Sequence, residues 1–536
     1  MGRMEQRMER GIGQGTQETV PHGTQKLQAS VFSVKNRLGL GTFCLWLLGV
    51  VLSACPSSCG SGENRSGEDT VGDGHLTLEI TPTSTIRLSP IETATFDIQV
   101  SGFSKNDASK EGMGILNIVL DKGLWFNVED KSPAGTSKVF ALTLVYDGTA
   151  AFPGGQAALG IELKNLPKGY RYSGGLKTTS IAVIDGNERN RAIPLNQSNI
   201  QAFNYYVTNS AFMSLGQHYK LTENIELEPP ASPTTSNWTP IGVEFQAFAG
   251  SFEGGGHTVS GLYIYAPDKS YLENNYQGFF GHIDHNAVIE NLGLLDVHVT
   301  GVDHVGGLVG GNRGGTLRNC HVSGKVSGNH YVGGLAGYSD GTLQNSYASV
   351  DVEGEGNYVG GLAGQNFNVL VNSYATGNVE GKGNNIGGLV GFAGYGSMIQ
   401  NSYATGSVSG NHYVGGITGA HPEFFGVAGF VSTENCMALN PSVSGKSNVG
   451  RVSGNDLPAS FGSSLLSGNY AFADMLNSSG TTVWNNPGQN HLDGQPIRAA
   501  ELGNGSFPAA FTLPPWTYQV GSLPGLGNPV PMPSHL

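Results

Sequence analysis

Residues 327–337 read SGNHYVGGLAG and residues 409–419 read SGNHYVGGITG, so eight consecutive letters recur 82 positions further along the chain. Related segments begin at five positions that are separated by 27, 27, 27 and 28 residues. They are VGGLVG (305–310), VGGLAG (332–337), VGGLAG (359–364), IGGLVG (386–391) and VGGITG (414–419). The two opening segments therefore lie three repeat units apart.

A repeat of this length indicates a stacked architecture. Helical units are excluded, because a Gly-Gly pair in every unit would break a helix. Propeller blades need about 40 or more residues. One turn of a parallel β-helix fits, with one strand in the NSYATG text, one in the following V-x-G and one in VGGLxG. Since parallel crossovers are nearly always right-handed, the predicted fold class is all-β, with a right-handed parallel β-helix.

A second motif runs in phase with the first, as RNCHVSG (318–324), QNSYASV (344–350), VNSYATG (371–377) and QNSYATG (400–406). Successive coils of a parallel β-helix lie about 4.8 Å apart, so equivalent amide side chains can hydrogen-bond from coil to coil. We predict that such a ladder satisfies corner backbone groups. Its members are Asn291, Asn319, Asn345, Asn372, Asn401 and Asn435.

Two columns around these asparagines are expected to point into the core. One holds Ile289, Leu317, Leu343, Leu370 and Ile399, and the other holds Cys320, Ser346, Ser373, Ser402 and Cys436. Cys320 and Cys436 are then about four coils apart, or roughly 19 Å at strand spacing. A disulfide needs Cα atoms within about 7 Å, so both are predicted to be buried free thiols.

Two aromatic stripes are predicted on the outer face. The first contains His321, Tyr347, Tyr374 and Tyr403, and the second contains Tyr331, Tyr358 and Tyr413. Tyrosine offers a flat face and a hydroxyl, which suit a sugar or a protein partner. The rings could instead only stack on one another and stiffen the sheet. The sequence leaves both interpretations open.

These repeats resemble the GLUG motif of bacterial surface proteins, adhesins and some IgA-cleaving metallopeptidases. The resemblance covers about residues 200–455, including the lead-in YKLTENIEL (219–227), WTPIG (238–242) and GSFEGGGHTVSGL (250–262). It implies a β-helix on the cell surface and no single activity. The peptidase branch needs an HExxH zinc site, which this chain lacks.

Other catalytic motifs are also missing. The chain contains no G-x-S-x-G and no phosphate-binding loop. The densest set of metal ligands, HIDH (282–285), is expected at a coil corner, and we predict no metal and no cofactor. A polysaccharide lyase or hydrolase would need clustered carboxylates, whereas the repeat strands carry few: Asp351, Glu353, Glu355 and Glu380.

The N-terminal region has the pattern of a targeting segment. Lys35 and Arg37 precede the apolar run LGLGTFCLWLLGVVLSAC, which ends at Cys55. This order is typical of a secretory signal, and LSAC resembles the bacterial lipobox, which implies acylation of Cys55. A transmembrane helix is the alternative. We therefore assign residues 1–54 to an extension and lipoprotein signal peptide, and residues 55–74 to a flexible tether.

The remaining segments flank the repeats. Residues 75–195 contain short alternating runs, which predict an immunoglobulin-like β-sandwich. It is expected to act as a spacer, with a binding module as the alternative, and Trp125 is expected in its core. The β-helix is assigned to residues 196–455 in eight to ten coils. Residues 456–536 are expected to form a cap and tail, with Trp484 or Trp516 plugging the open end of the core.

Together these features predict a lipid-anchored bacterial envelope protein, surface-exposed or periplasmic. We expect non-enzymatic adhesion or ligand binding along the outer face of the β-helix, with a glycan or a surface protein as partner. The net charge of −13 speaks against nucleic acid, because phosphates would be repelled. The alternatives are a polysaccharide lyase or hydrolase on the same scaffold, and a purely structural stalk.

Overall fold

The structure, a computed structural model, describes residues 74–81, 86–103, 115–122, 124–132, 137–146, 148, 150, 152, 155–209, 214–268, 275–422, 431–455 and 466–536. The predicted signal peptide, the predicted lipidation site Cys55 and nearly all of the predicted tether lie outside these residues. Within the described part of the chain, no helix is both long and apolar enough to cross a membrane.

The N-terminal strands form two four-stranded sheets that share one hydrophobic core. The first sheet is antiparallel, in the order Thr77–Thr81, Thr93–Ser101, Ser137–Tyr146 and Leu124–Asp130. The second has the order Ile86–Leu88, Lys177–Val183, Gln156–Leu163 and Leu116–Leu120. A short pair joins Gly74–His75 to Tyr170–Arg171. Alternating burial along Thr93–Ser101 is what period-two sequence predicts; the immunoglobulin likeness stays a prediction.

Trp125 corrects one expectation for this region. Its side chain is 64% exposed, not part of the core. It lies on the edge strand Leu124–Asp130, opposite the partly exposed Val145. Because side chains alternate across a strand, the buried neighbour Leu124 fixes Trp125 on the solvent side.

The C-terminal two thirds form a parallel β-helix with four sheets. Sheet 1 contains Ile193–Leu195, His218–Leu221, Ser251–Glu253, Val288–Glu290, Thr316–Arg318, Thr342–Gln344, Val369–Val371, Met398–Gln400, Ser432–Glu434 and Leu466–Ser467. Sheet 2 contains Ile225–Glu226, Thr258–Ser260, Tyr263–Tyr265, Gly293–Thr300, His321–Gly328, Tyr347–Gly354, Tyr374–Ala375, Val379–Gly381, Tyr403–Ala404, Val408–Ser409, Met437–Ala438, Val443–Ser444, Tyr470–Phe472 and Gln495–Ile497.

Sheets 3 and 4 are formed by the glycine-rich segments of the repeats. Sheet 3 contains Asp303–Gly306, His330–Gly333, Val359–Gly360, Asn384–Gly387, His412–Gly415 and Ser447–Gly450. Sheet 4 contains Phe280–Ile283, Val309–Asn312, Ala336–Ser339, Ala363–Asn366, Val390–Ala393 and Thr418–Ala420.

The division of a coil into strands differs from the predicted one. The NSYATG and V-x-G texts lie in the same sheet, as the single strand Tyr347–Gly354 shows. The VGGLxG text is instead divided between sheets 3 and 4, as in His330–Gly333 and Ala336–Ser339. The residues before each asparagine supply sheet 1. The Gly-Gly pair lies where the chain passes from sheet 3 to sheet 4, so it forms a corner and not a strand interior.

Identical positions face each other from coil to coil. Leu317 pairs with Leu343, and Leu343 pairs with Leu370. The predicted apolar column from Ile289 to Ile399 is completely buried. These residues belong to one continuous core that runs from Ile193 to Met475. Stacking therefore buries an interior that no single unit could enclose, and the predicted inward columns are confirmed.

Both ends of this core carry additional structure. At the N-terminal end the helix Ile200–Asn209 places Phe203 against Tyr219 and Phe252. At the other end sheet 2 continues beyond the predicted limit of residue 455, through Gln495–Ile497. The short helix Ala499–Gly503 follows. Two small hairpins then pair Trp516–Thr517 with Gly525–Leu526, and Ser522–Leu523 with Val530–Pro531. Single 3-10 turns occur at Arg189–Arg191, Ser214–Gly216 and Ala509–Phe511.

Candidate functional site

The asparagines of the predicted ladder occupy the corner between sheets 1 and 2. All six have φ between 50° and 55°, a left-handed conformation that asparagine adopts more readily than most residues. Nδ2 of Asn319 donates to Oδ1 of Asn291 at 2.9 Å. The amides of Asn372 and Asn401 donate to Asn345 and Asn372, each at 3.3 Å. These hydrogen bonds connect neighbouring coils, so the role of the asparagines is structural.

A serine ladder beside these asparagines was not predicted. The backbone N–H groups of Cys320, Ser346 and Ser373 donate to the Oγ atoms of Ser346, Ser373 and Ser402 at 3.1, 3.2 and 3.1 Å. Each of the three hydroxyls donates in turn to the carbonyl oxygen two residues before it. The signal in the sequence is the serine that directly follows Asn345, Asn372 and Asn401. The sequence predicts that this serine points inward, but it does not predict the hydrogen bonds.

Cys320 and Cys436 are buried, free thiols, as predicted. Burial raises the pKa of each to about 12, so the reactive thiolate is disfavoured. Both lie in the same inward column as the serines of the ladder. These cysteines therefore belong to the core, and they are unsuited to nucleophilic chemistry.

The first stripe is a stack of parallel rings on the outer face of sheet 2. Ring centroids are 4.9 Å apart for His321 and Tyr347, 4.6 Å for Tyr347 and Tyr374, and 4.9 Å for Tyr374 and Tyr403. The planes differ by 8°, 4° and 2°. The other face of His321 lies over Gly293, where a Cβ atom would collide with the imidazole. The ring faces are thus covered, and the stripe presents ring edges and hydroxyls outward.

Residues 499–536, termed the tail, cover one end of this stripe. Tyr374 is only 5% exposed and Tyr403 is completely buried. Phe511 and Trp516 pack against Tyr403, with centroids 6.1 and 5.7 Å from its ring. The expected exposure of Tyr403 is therefore wrong, because the tail lies on the outer face. Only the His321 and Tyr347 end of the stripe remains partly exposed.

The two tryptophans proposed as plugs have different environments. Of the two alternatives, Trp516 is not in the open end of the core, because it packs on the outer aromatic stack. Trp484 packs against the solenoid core and donates its indole N–H to the carbonyl oxygen of Met475 at 3.0 Å. The tail therefore lies along the side of the solenoid. Trp484, which precedes the tail, packs at the C-terminal end of the solenoid core.

A groove of about 570 Å³ lies between the tail and the outer face of sheet 2; we call it the tail groove. Tyr347, Ser349, Tyr374, Thr376, Asn378, Thr405, Gly406 and Pro441 line the solenoid side. Leu526, Asn528, Pro529, Val530, Pro531, Pro533 and His535 line the tail side. This groove brings Tyr347, the partly exposed tyrosine of the first stripe, together with hydroxyl and amide groups that the sequence did not single out.

Several polar groups of the tail groove are available to a ligand. Within the described part of the chain, the hydroxyls of Tyr347, Tyr374 and Thr405 have no hydrogen-bond partner. Burial raises the pKa of Tyr347 and of Tyr374, so both phenols remain protonated donors. Oδ1 of Asn378 accepts the backbone N–H of Ser407 at 3.0 Å. Its side-chain NH2 group has no acceptor among the described residues and can donate to a ligand.

The second stripe lies on sheet 3. Tyr331 and Tyr358 stack with centroids 5.0 Å apart, and His304 extends the stack at 4.5 Å. Tyr413 follows after an interruption at Asn385, which occupies the equivalent position of the coil between them. All five residues have φ between 51° and 67°, a conformation that costs an ordinary side chain about 1–2 kcal/mol. The three tyrosines are half-buried, and none of the residues that line the tail groove belongs to this stripe.

The acidic residues of the repeat strands lie outside the tail groove. Glu353 forms an ion pair with Lys325 at 2.6 Å, and Glu355 forms one with Lys382 at 2.6 Å. Glu380 pairs in register with Glu353 on the adjacent coil. The arrangement is that of solvated surface charges, which contribute little to stability.

The histidines of HIDH do not come together as ligands. His282 is only 2% exposed, and burial, followed by the charge of Arg313, lowers its pKa to about 4. His285 is exposed and lies 2.6 Å from Asp284. Among the described residues, no three His, Cys, Asp or Glu side chains are grouped closely enough to hold a metal ion.

Comparison with known families identifies the repeats. The family described as the GLUG motif matches residues 301–327, 328–353, 355–380 and 382–409. Residues 301–409 are tandem GLUG repeats. Each matched segment begins just before a strand of sheet 3 and closes one full coil, so one motif corresponds to one turn of the β-helix.

Two curated proteins are similar to part of the chain. Halomucin of Haloquadratum walsbyi is 38% identical over 118 residues, which is 21% of this chain and 1% of halomucin. A protein named "Putative Gly-rich membrane protein" from Evansella cellulosilytica is 33% identical over 113 residues, 21% of this chain and 12% of that protein. The matches thus cover a small part of each relative's length.

Proposed function

We propose that this protein is a lipid-anchored component of a bacterial cell envelope that binds a ligand on the outer face of its β-helix without catalysis. The GLUG repeats and the membrane protein among the relatives support a place at the cell surface. The LSAC sequence ending at Cys55 supports the lipid anchor. An acyl pair on one cysteine gives stable membrane attachment.

The tail groove carries the binding proposal. It contains Tyr347, the partly exposed tyrosine of the first stripe, and hydroxyl groups and an amide NH2 group that have no partner among the described residues. Buried or partly buried polar groups without partners are costly, and a ligand with complementary groups would satisfy them. Concave sites with a few convergent polar groups are the usual form of binding sites.

Two alternatives remain as competing functions. A hydrolase or lyase would need carboxylates beside the bound chain, and none of the residues that line the tail groove is an aspartate or a glutamate. A purely structural stalk is favoured by one observation: the rings of the first stripe cover one another's faces. The binding proposal accordingly relies on ring edges, hydroxyls and amides, and not on stacking against a ligand.

A binding array tests the proposal against the stalk. The purified full chain would be probed on glycan and host-protein arrays beside the double variant His321→Ala/Tyr347→Ala. The matched control is Tyr263→Ala/His298→Ala, which removes another stacked pair from the same sheet, with centroids 6.0 Å apart. We expect loss of binding in the first variant only. Equal binding by all three proteins would favour the stalk.

The anchor is tested separately. Cells expressing the full chain would be labelled with radioactive palmitate and fractionated, with Cys55→Ala as the variant and Cys59→Ala as the control. We expect label and membrane association to disappear only in Cys55→Ala. Equal labelling of both variants would contradict lipidation at Cys55.

A further inference from the structure

We propose that the ligand of the tail groove is an uncharged polysaccharide that lies along the axis of the solenoid. This inference rests on the proposed binding function and adds the chemical class of the ligand. It follows from the charge of the groove, its pattern of hydrogen-bonding groups and the form of its walls.

Charge selects against acidic and basic ligands. None of the fifteen lining residues is Asp, Glu, Lys or Arg. The ring of His535 has its Nε2 atom 2.8 Å from the carbonyl oxygen of Leu439, so that nitrogen donates within the protein. The residues of the solenoid side form the floor of the groove. The acids nearest to them in sequence, Asp351 and Glu380, follow Ser349 and Asn378 on strands of sheet 2. A uronic acid would find no cation and would be repelled by the acidic surface.

The hydrogen-bonding groups of the tail groove are suited to binding the hydroxyl groups of a sugar. Hydroxyl and primary amide groups both donate and accept, and sugar hydroxyls have the same dual character. Thr376 donates to Ser349 at 2.9 Å, which leaves the Ser349 proton for a ligand. The hydroxyls of Tyr347 and Tyr374, which have no partner among the described residues, and the amide of Asn378 add further groups that can bond a sugar hydroxyl.

An extended peptide fits this floor less well. Peptides that bind β-sheets add a strand to an open edge. The strands beneath the groove have neighbours on both sides: Tyr374–Ala375 pairs with Tyr347 and Ala348 of one coil and with Tyr403–Ala404 of the next. Among the described strands of sheet 2 beneath the groove, no backbone edge is therefore open, and the lining provides no charged anchor for a terminus or a side chain.

The repeat places equivalent groups at regular intervals along the axis. Tyr347 lies beside Tyr374, and Ser349 lies beside Thr376, one coil apart. Coils are spaced by about 4.8 Å, so a ligand with its own repeating units meets the same groups more than once. Three prolines of the tail, Pro529, Pro531 and Pro533, form the opposite wall. Because proline fixes φ, that wall is pre-organised for binding.

Calorimetric titration of the full chain tests this inference. The probes are galactomannan and dextran as neutral polysaccharides, alginate and polygalacturonate as acidic ones, and a synthetic peptide of residues 522–536. The variant Tyr347→Phe/Ser349→Ala removes two hydroxyls and keeps the stacked ring. Tyr358→Phe is the matched control, since it removes a hydroxyl from the second stripe. We expect a neutral polysaccharide to bind, with affinity about tenfold lower in the double variant and unchanged in the control.

The contrary outcomes are distinct. Tighter binding of alginate or polygalacturonate would overturn the inference and leave ligand binding in the groove intact. Binding of the peptide or of an arrayed protein, with no polysaccharide bound, would do the same. Neutral polysaccharide binding that the double variant does not weaken would place the ligand elsewhere and overturn the inference. If His321→Ala/Tyr347→Ala changes the binding of no ligand at all, the proposed function itself fails.

Discussion

The hydroxyl of Tyr403 donates a hydrogen bond to the carbonyl oxygen of Pro524 across a separation of 121 residues, at 2.6 Å. Both partners are buried, and Tyr403 is also packed against Phe511 and Trp516. This contact fixes the tail on the outer face of sheet 2. Together with the contact between His535 and Leu439, it holds the tail side of the groove against the solenoid.

Tyr403→Phe is therefore expected to loosen the tail. The substitution keeps the stacked ring but leaves the carbonyl of Pro524 without its donor, at a cost of about 1–3 kcal/mol. Hydrogen exchange should accelerate in residues 511–535 and remain unchanged in sheet 1. Tyr374→Phe is the control, because its hydroxyl has no protein partner in the described residues. Equal exchange in both variants would contradict this role.

The asparagine corner gives a second prediction. At Asn401, where φ is 50°, alanine would have to adopt a left-handed conformation at a cost of about 1–2 kcal/mol, and it would lose the bond to Asn372. Asn401→Gly loses the same bond without the conformational penalty. Urea unfolding should rank the parent above Asn401→Gly and Asn401→Gly above Asn401→Ala. The reverse order of the two variants would show that the conformation is not what selects asparagine.

Gly361 tests the corner between sheets 3 and 4. A Cβ atom there would meet the backbone oxygen of Gly388 and lie 2.8 Å from Cβ of Ala375. Gly361→Ala should therefore prevent close stacking of two coils and lower the free energy of unfolding by several kcal/mol, as overpacking does. Gly503→Ala, with nothing within 4 Å of the added atom, is the control. Circular dichroism during heating distinguishes them, and similar melting of both variants would contradict the crowding at this corner.

The two core thiols are expected to be unreactive in the folded protein. Their pKa values near 12 and their complete burial leave almost no accessible thiolate at neutral pH. Peptide mass spectrometry after iodoacetamide treatment should find Cys320 and Cys436 unmodified in buffer and alkylated in urea. Rapid alkylation of Cys320 without denaturant would contradict the packing of its coil.

Stability should fall in mild acid. Burial is the main cause that lowers the pKa of His282 and of His304 to about 4, whereas an unfolded histidine titrates near 6.5. Below about pH 6.5 the unfolded state binds more protons, so stability is lost as pH falls towards 4 and is fully present above 6.5. His282→Phe keeps a ring against Tyr276 and should flatten the curve of unfolding free energy against pH. An unchanged slope would contradict this assignment.

The repeat unit was readable from sequence because one period sets one coil. Columns such as Leu317, Leu343 and Leu370 needed only the 27-residue spacing and strand alternation. The corner at each Gly-Gly was harder to assign. Glycine permits many conformations. The sequence alone therefore does not show whether a VGGLxG segment stays within one sheet or crosses from one sheet to the next.

The tail groove could not be predicted for a different reason. Its two walls come from Tyr347 and from residues near Pro529, which are about 180 positions apart and share no repeat. Proline-rich, aromatic text indicates an irregular segment, but it gives no register against a sheet. The same segment buries Tyr403, so the exposure of the first stripe depended on a contact that no local pattern encodes.

Equivalent residues of successive repeats pair with each other, and this determines how the number of repeats can change. Every strand from Thr316 to Gln400 meets its counterpart one repeat away, so gaining or losing a whole unit ahead of Tyr347 preserves every column. Such a change alters length by about 4.8 Å and leaves the coils that hold Pro524 untouched. The number of repeats can thus change the length of the solenoid without changing the residues that form the tail groove.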